Sequence, residues 1–161
     1  MDKIVSLAKI NKLSGQYKDA KKTIVFTNGC FDIIHAGHVN YLTHAASLGD
    51  VLILGLNSDR SVRSIKGEKH PVIGQDHRSI IMAALECIDH VVLFDEPDPE
   101  ILIQTICPDV LVKGADWPED QIIGADFVKK NGGHVERVFL EPGISTTRII
   151  ERIGELYYGK C

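Results

Sequence analysis

Short apolar runs at 23–28, 51–56, 91–94, 110–113 and 134–138 recur along the chain, separated by stretches of helical periodicity. Runs this rich in consecutive valine, isoleucine and leucine have no side to give to water, so they demand a sheet covered on both faces. The helical patterns near 38–48, 59–65, 75–87, 98–106, 120–131 and 146–157 supply that cover. The expected fold is therefore α/β, a doubly wound parallel sheet. A chain of 161 residues, 44% of them hydrophobic, suffices for one compact domain. Residues 1–22, polar and lysine-rich, are expected to form a peripheral helical segment ahead of a domain spanning 23–161. In such sheets ligands lie beyond the carboxyl ends of the strands, so chemistry is sought just after each apolar run.

The end of the first run is the richest. There Asn28-Gly29-Cys30-Phe31-Asp32 leads through Ile33-Ile34 into His35-Ala36-Gly37-His38, and the apolar-periodic segment that follows reads as a helix starting near Gly37. Gly29 lets the backbone approach a ligand and present its N–H groups, and the positive end of the helix faces the same spot. His35 and His38, three apart, share one face of that first turn and aim two imidazoles at one group. The turn reads as a phosphate site. With 18 basic against 22 acidic residues and a formal net charge of −4, the chain has no general attraction to nucleic acid or an anionic membrane, so neither is an expected partner. An anionic substrate must be held locally. No stretch approaches a membrane span, the opening Met1-Asp2-Lys3-Ile4 is not a long apolar run, and cysteines at 30, 87, 107 and 161 fit neither a zinc knuckle nor a disulfide framework. A cytoplasmic protein with reduced thiols is expected.

The other strand ends are polar in the same way. Asn57 and Asp59 follow the second run, and the loop after them carries Arg63, Lys66, Lys69 and His70 as possible cations. Lys113, Gly114, Asp116 and Trp117 follow the fourth, and Gly143, Ser145, Thr146 and Thr147 follow the fifth. Gly143 provides a turn there, and Ser145 or Thr146 can cap a helix whose free N–H groups face a second phosphate. Two helix N-termini then converge on one polyanion. The chain contains no GxxxxGK[ST] and no GxGxxG, which argues against a P-loop enzyme or a dinucleotide-dependent dehydrogenase.

The run from Asn28 to His38 resembles the GxFDxxHxGH signature of the nucleotidyltransferase superfamily, which includes cytidylyltransferases and pantetheine-phosphate adenylyltransferase; Ile144-Ser145-Thr146-Thr147 resembles its second signature, ISTT. The resemblance covers residues 23–153 and is nearest to the adenylyltransferase branch of bacterial ADP-heptose synthesis, through Val39-Asn40-Tyr41-Leu42, Asn57-Ser58-Asp59-Arg60 and Pro108-Asp109-Val110-Leu111-Val112-Lys113-Gly114. It implies transfer of AMP from ATP, with Mg2+, to D-glycero-β-D-manno-heptose 1-phosphate for lipopolysaccharide or another surface glycan. No protein nucleophile and no resident metal is implied. His35 and His38 are implied to contact the phosphates and stabilise the α-phosphoryl transition state, Lys66 to hold phosphate from its loop, and Ser145 and Thr146 to meet the β- and γ-phosphates. Backbone near Cys30 and Phe31 is implied to line the phosphate bed with Asn28 and Gly29 among the nucleotide-binding residues, Asp32 to place the magnesium-bound nucleotide or orient a donor, and residues 113–117 to flank the base with Trp117 as a stacking wall. Relatives imply a homodimer. With 22 residues ahead of the first run, a sugar kinase of the same pathway is expected to be a separate protein.

Several of these residues have a plainer reading. An HxGH taken alone also fits a chance helix start or a metal pair with Cys30; together with Gly29, Asp32 and the distant ISTT it does not. Arg78 suits a phosphate or a helix-surface salt bridge equally, Asp59 a helix cap, Asp116 a turn and Trp117 simple packing. Cytidylyltransferases of the glycerol-phosphate type carry an arginine where this chain has Leu140, and Arg137 lies on the opposite face of the strand. That departure favours the heptose branch over a glycerol-3-phosphate cytidylyltransferase. A nucleotide-sensing domain without turnover is the non-enzymatic alternative, against which the intact His35, His38, Lys66 and Thr146 argue.

Overall fold

The computed structural model describes residues 2–115, 118–139 and 143–159. Its sheet contains β1 (Ile4–Val5), β2 (Ile24–Gly29), β3 (Val51–Asn57), β4 (His90–Phe94), β5 (Val110–Gly114) and β6 (His134–Val138). The helices are α1 (Leu7–Asp19), α2 (Ala36–Ala46), α3 (Asp59–Lys66), α4 (Gln75–Ala84), α5 (Glu100–Ile106), α6 (Ala125–Lys130) and α7 (Thr146–Tyr158), with a 3-10 turn at Glu119–Gln121. All strand pairs are parallel, in the order β1-β4-β3-β2-β5-β6. This is the doubly wound sheet the apolar runs require. From β2 the chain winds outward through β3 and β4, then crosses back to place β5 on the other flank of β2. The connections diverge between β2 and β5, which opens a crevice at their carboxyl ends.

Consecutive residues of each strand feed opposite faces. Ile24, Phe26, Ile53 and Leu111 pack with Leu102 and Ile103 of α5 and Val128 of α6 on one side. Val25, Leu52, Leu54, Val110 and Val112 pack with Leu42 and Ala45 of α2 and Met82 of α4 on the other. Period-2 alternation with apolar residues in both registers is the signature of a sheet with no wet face. Each fully buried leucine or isoleucine contributes roughly 1.5–3 kcal/mol of transfer free energy. The amino edge of the sheet is closed by three aspartates. Asp50, Asp89 and Asp109, each just before a strand, accept N–H bonds from Thr23, Leu52 and Ile24 at 2.8, 2.8 and 2.7 Å.

The structure differs from the sequence expectation at three places. The segment 1–22 is not peripheral: Ile4 and Val5 pair with Val91 and Val92, and Ile10 of α1 is fully buried in the core. A strand of two residues is too short to show a period. The helix expected over 120–131 is broken, because Gly124 adopts φ +85° and separates the 3-10 turn from α6. Helix α4 stops at Ala84, where Leu85 turns extended.

Candidate active site

The turn between β2 and α2 is built around two close approaches. A Cβ on Gly29 would lie 2.8 Å from the Phe31 ring, and a Cβ on Gly37 would lie 3.1 Å from the His35 ring and 3.3 Å from Ile144. The glycines of the first motif are therefore spaces for its own aromatic groups and for the first residue of the second motif. Phe31 sits at φ +43°, a conformation a bulky residue adopts only when its surroundings impose it. Its ring is buried and rests against His38, with centroids 5.3 Å apart.

His35 is the N-cap residue of α2, and His38 lies in that helix's first turn. Their rings stack at 3.8 Å. Both Nδ1 atoms are buried without a hydrogen-bond partner among the described residues. Burial lowers the pKa of His35. Burial, then the neighbouring His35 and Lys66, push His38 down to about 4. Both imidazoles are thus neutral at pH 7, held ready with unused polar atoms beside a helix N-terminus.

One crevice of about 420 Å³ gathers most of the candidate residues: Asn28, Gly29, Cys30, Phe31, Asp32 and His38 from the β2–α2 turn, Asn57 from the end of β3, Lys66 from the end of α3, Lys113 and Gly114 from β5, and Thr146 from α7. Lys113 donates to the Asn28 side chain across the β2/β5 divergence. Thr146 donates to the Ile33 carbonyl at 3.5 Å, which brings the start of α7 to the β2–α2 turn. Ser145 caps α7 by accepting the Arg148 N–H at 3.2 Å. His35, stacked on His38, is not among the residues that line the crevice, nor are Gly143, Ser145 and Thr147 at the start of α7. Burial holds the Cys30 thiol above its usual pKa despite Lys66 and Arg78, so it stays protonated and offers no nucleophile. Asp116, Trp117 and Leu140 lie outside the described residues.

Two expectations are corrected. Arg78 is fully buried and does not reach the crevice; its guanidinium donates to the carbonyls of Ile73 and Cys30 and to Asp59, at 2.9, 2.6 and 2.7 Å. It lines no part of the crevice and lies off the helix surface, and Asp59, its partner, does not line the crevice either. Asp32 lines the crevice, but its oxygens accept the N–H groups of Val72 and Ile73, both at 2.8 Å. No group of three or more His, Cys, Asp or Glu able to hold a metal occurs among the described residues.

The crevice also has walls the sequence did not single out: Pro97, Asp98 and Pro99 after β4, and Gln121, Ile122 and Ile123 near the 3-10 turn. Their position after β4 and β5 was the available signal. A larger hollow, about 630 Å³, lies against α6 and carries Glu100, Asp120 and Asp126 beside Lys129. Its carboxylates disfavour a polyphosphate. Among the described residues no helix is long and apolar enough to cross a membrane.

Comparison with known proteins agrees with this geometry. The chain is 57% identical over 136 residues to the bifunctional protein HldE of Geobacter sulfurreducens, covering 84% of this chain and 28% of that protein. It is 46% identical to the HldE of Helicobacter acinonychis, over 96% of this chain and 32% of the relative. The chain thus spans about a third or less of these relatives. Among solved structures, a lipopolysaccharide core biosynthesis protein from Thermoplasma volcanium matches with TM-score 0.62 and 26% identity, over 76% of this chain and 99% of that one. A pantoate-beta-alanine ligase from Francisella tularensis shares the fold at TM-score 0.63 and 14% identity, over 96% of this chain and 77% of its own. The Cytidylyltransferase-like family pattern matches residues 26–152, which contain both motifs of the crevice. The chain belongs to the cytidylyltransferase-like family and is a nucleotidyltransferase.

Proposed function

We propose that this nucleotidyltransferase moves AMP from ATP to D-glycero-β-D-manno-heptose 1-phosphate, giving ADP-heptose and pyrophosphate for lipopolysaccharide or another surface glycan. The observation that carries the reading is the pair of stacked, neutral histidines with orphaned nitrogens at one helix N-terminus, met by the start of a second helix at Thr146. The sequence likeness to the heptose branch and the identity to HldE proteins over most of the chain support the choice of acceptor.

The chemistry asks little of the protein beyond placement. A phosphate monoester has its second pKa near ~6, so the attacking oxygen of the sugar phosphate is already ionised at neutral pH and needs no base. That oxygen bonds to the α-phosphorus in line as the bond to the bridging oxygen of the β-phosphate breaks, and pyrophosphate departs with the electron pair. His35 and His38 donate N–H bonds to oxygens that gain charge as the α-phosphorus becomes crowded. Lys66 and the α7 N-terminus, with Thr146 and Ser145, hold the β- and γ-phosphates. The N–H groups near Gly29 and Cys30 form the phosphate bed, and Lys113 and Gly114 flank the nucleotide. Magnesium bound to the triphosphate would neutralise part of its charge; ATP and the sugar phosphate are the partners.

Pyrophosphate release measured with ATP or CTP crossed with heptose 1-phosphate, glycerol 3-phosphate and FMN tests the reading. Release with ATP and heptose 1-phosphate alone is expected. Release only with CTP and glycerol 3-phosphate would overturn it, and nucleotide binding without release under any pairing would point to a sensing domain.

A further inference from the structure

The loop joining α3 to α4, residues 67–74, is cross-bonded to the β2–α2 turn by two buried charged side chains. Asp32, 4% exposed, takes the N–H groups of Val72 and Ile73. Arg78, 0% exposed, takes the carbonyls of Ile73 and Cys30 and is neutralised by Asp59 at the start of α3. The Ile73 residue is therefore gripped through its N–H by the turn and through its carbonyl by α4. His70 adds an imidazole nitrogen 3.6 Å from the Asp32 carboxylate. Hydrogen bonds to a buried charge are among the stronger ones, and leaving such a charge without them is costly. Each carboxylate oxygen of Asp32 is thus engaged by a backbone N–H of the loop.

The loop so held begins directly after Lys66, the last residue of the eight-residue α3. Lys66 is exposed, lines the crevice, and is followed by Gly67 at φ +89°, where the chain leaves the helix. Nothing in the long, flexible lysine side chain fixes its aim; its backbone must be fixed from both ends. Arg78 with Asp59 fixes the start of α3, and Asp32 fixes the chain six residues beyond Lys66.

We propose that Asp32 is a positioning residue: it acts through the Val72–Ile73 backbone to hold the α3–α4 loop, and thereby Lys66, against the phosphate crevice, and does not touch the nucleotide or its metal. The inference rests on the phosphate-binding role given to Lys66 above.

Amide hydrogen exchange and a double-mutant cycle test it on the full chain. In Asp32→Asn, exchange at Val72 and Ile73 is expected to quicken about 10- to 100-fold while the β3 amides keep their protection. Turnover and ATP affinity are expected to fall in Asp32→Asn and in Lys66→Ala, and the double variant to be no worse than Lys66→Ala. The magnesium concentration for half-maximal rate stays unchanged. Val72→Pro, which deletes one of the two N–H donors at an exposed position, should reproduce a weaker form of the same loss should Asp32→Asn not fold. Additive losses in the double variant, an undisturbed loop in Asp32→Asn, or a raised magnesium requirement with the loop still protected would each overturn the proposal. Absence of pyrophosphate release from the unaltered protein would refute the functional reading instead, and the cycle read on ATP affinity by calorimetry would still decide the role of Asp32.

Discussion

Two helix N-termini face the crevice, and they are held in opposite ways. The start of α2 grows out of the core: Phe31 and Tyr41 are buried, Tyr41 shares a 2.7 Å hydrogen bond with Thr27 inside the sheet, and the turn is pinned from behind by Arg78. The start of α7 is attached by Thr146 on the Ile33 carbonyl, and none of the 13 residues of α7 is buried. The histidine side is a finished mould, whereas the ISTT side rests on it. A rigid half can stabilise charge developing at one phosphorus, where geometry decides the rate, while the lightly held half can follow the β- and γ-phosphates as they arrive and leave.

The contrast is broken most directly by changes at the rigid half. His38→Ala, and separately His35→Ala, is expected to lower turnover roughly 10²-fold or more through loss of one transition-state donor, with circular dichroism and melting unaltered in form. Retained turnover in both would remove them from the chemistry. Gly29→Ala pushes a methyl to 2.8 Å from the Phe31 ring, so stability should drop by about 1–3 kcal/mol, with activity falling alongside it; denaturant titration beside kinetics reads both. At the light half, Ser145→Ala removes the α7 cap, locally worth ~1 kcal/mol, and should raise KM for the nucleotide while leaving global Tm nearly fixed. A large fall in Tm there would show α7 to be as integral as α2.

The smallest effect is a pH dependence confined to the histidine side. His38 has its pKa lowered from 6.5 to about 4 on folding, so between those values the unfolded chain binds more protons and the ligand-free protein loses stability as pH falls, levelling off below about 4. Burial is the first cause, and the neutral ring is what the fold prefers. Replacing His38 by glutamine should flatten the melting curve against pH across that window, detectable as a change of a few °C. An unchanged slope would mean that the ring is not desolvated.

Much of this was legible from the residues alone because apolar runs and strand ends report directly on a parallel sheet. The five apolar runs all became strands, and the turn at 28–38 and the start at 145–146 came together as the two motifs require. What the sequence hid was the direction of individual charges. Asp32 and Arg78 look like ligands in a string of letters, yet one accepts the N–H groups of Val72 and Ile73 and the other is sealed beneath the turn. Periodicity cannot tell a charge that faces substrate from one that holds up the wall behind it. Nor can it show Ile4 and Val5 as an edge strand, since two residues make no period. Gly37 was legible as the start of a helix but not as the seat for Ile144, a contact between positions more than a hundred residues apart.

The claim beneath all of this is that both helix starts grip one triphosphate. Amide exchange followed by mass spectrometry, with and without a non-hydrolysable ATP analogue, measures it at once on the peptides around 33–40 and 144–150. Simultaneous protection of both, with the same dependence on analogue concentration, is the predicted result. Protection of one with the other untouched would contradict it.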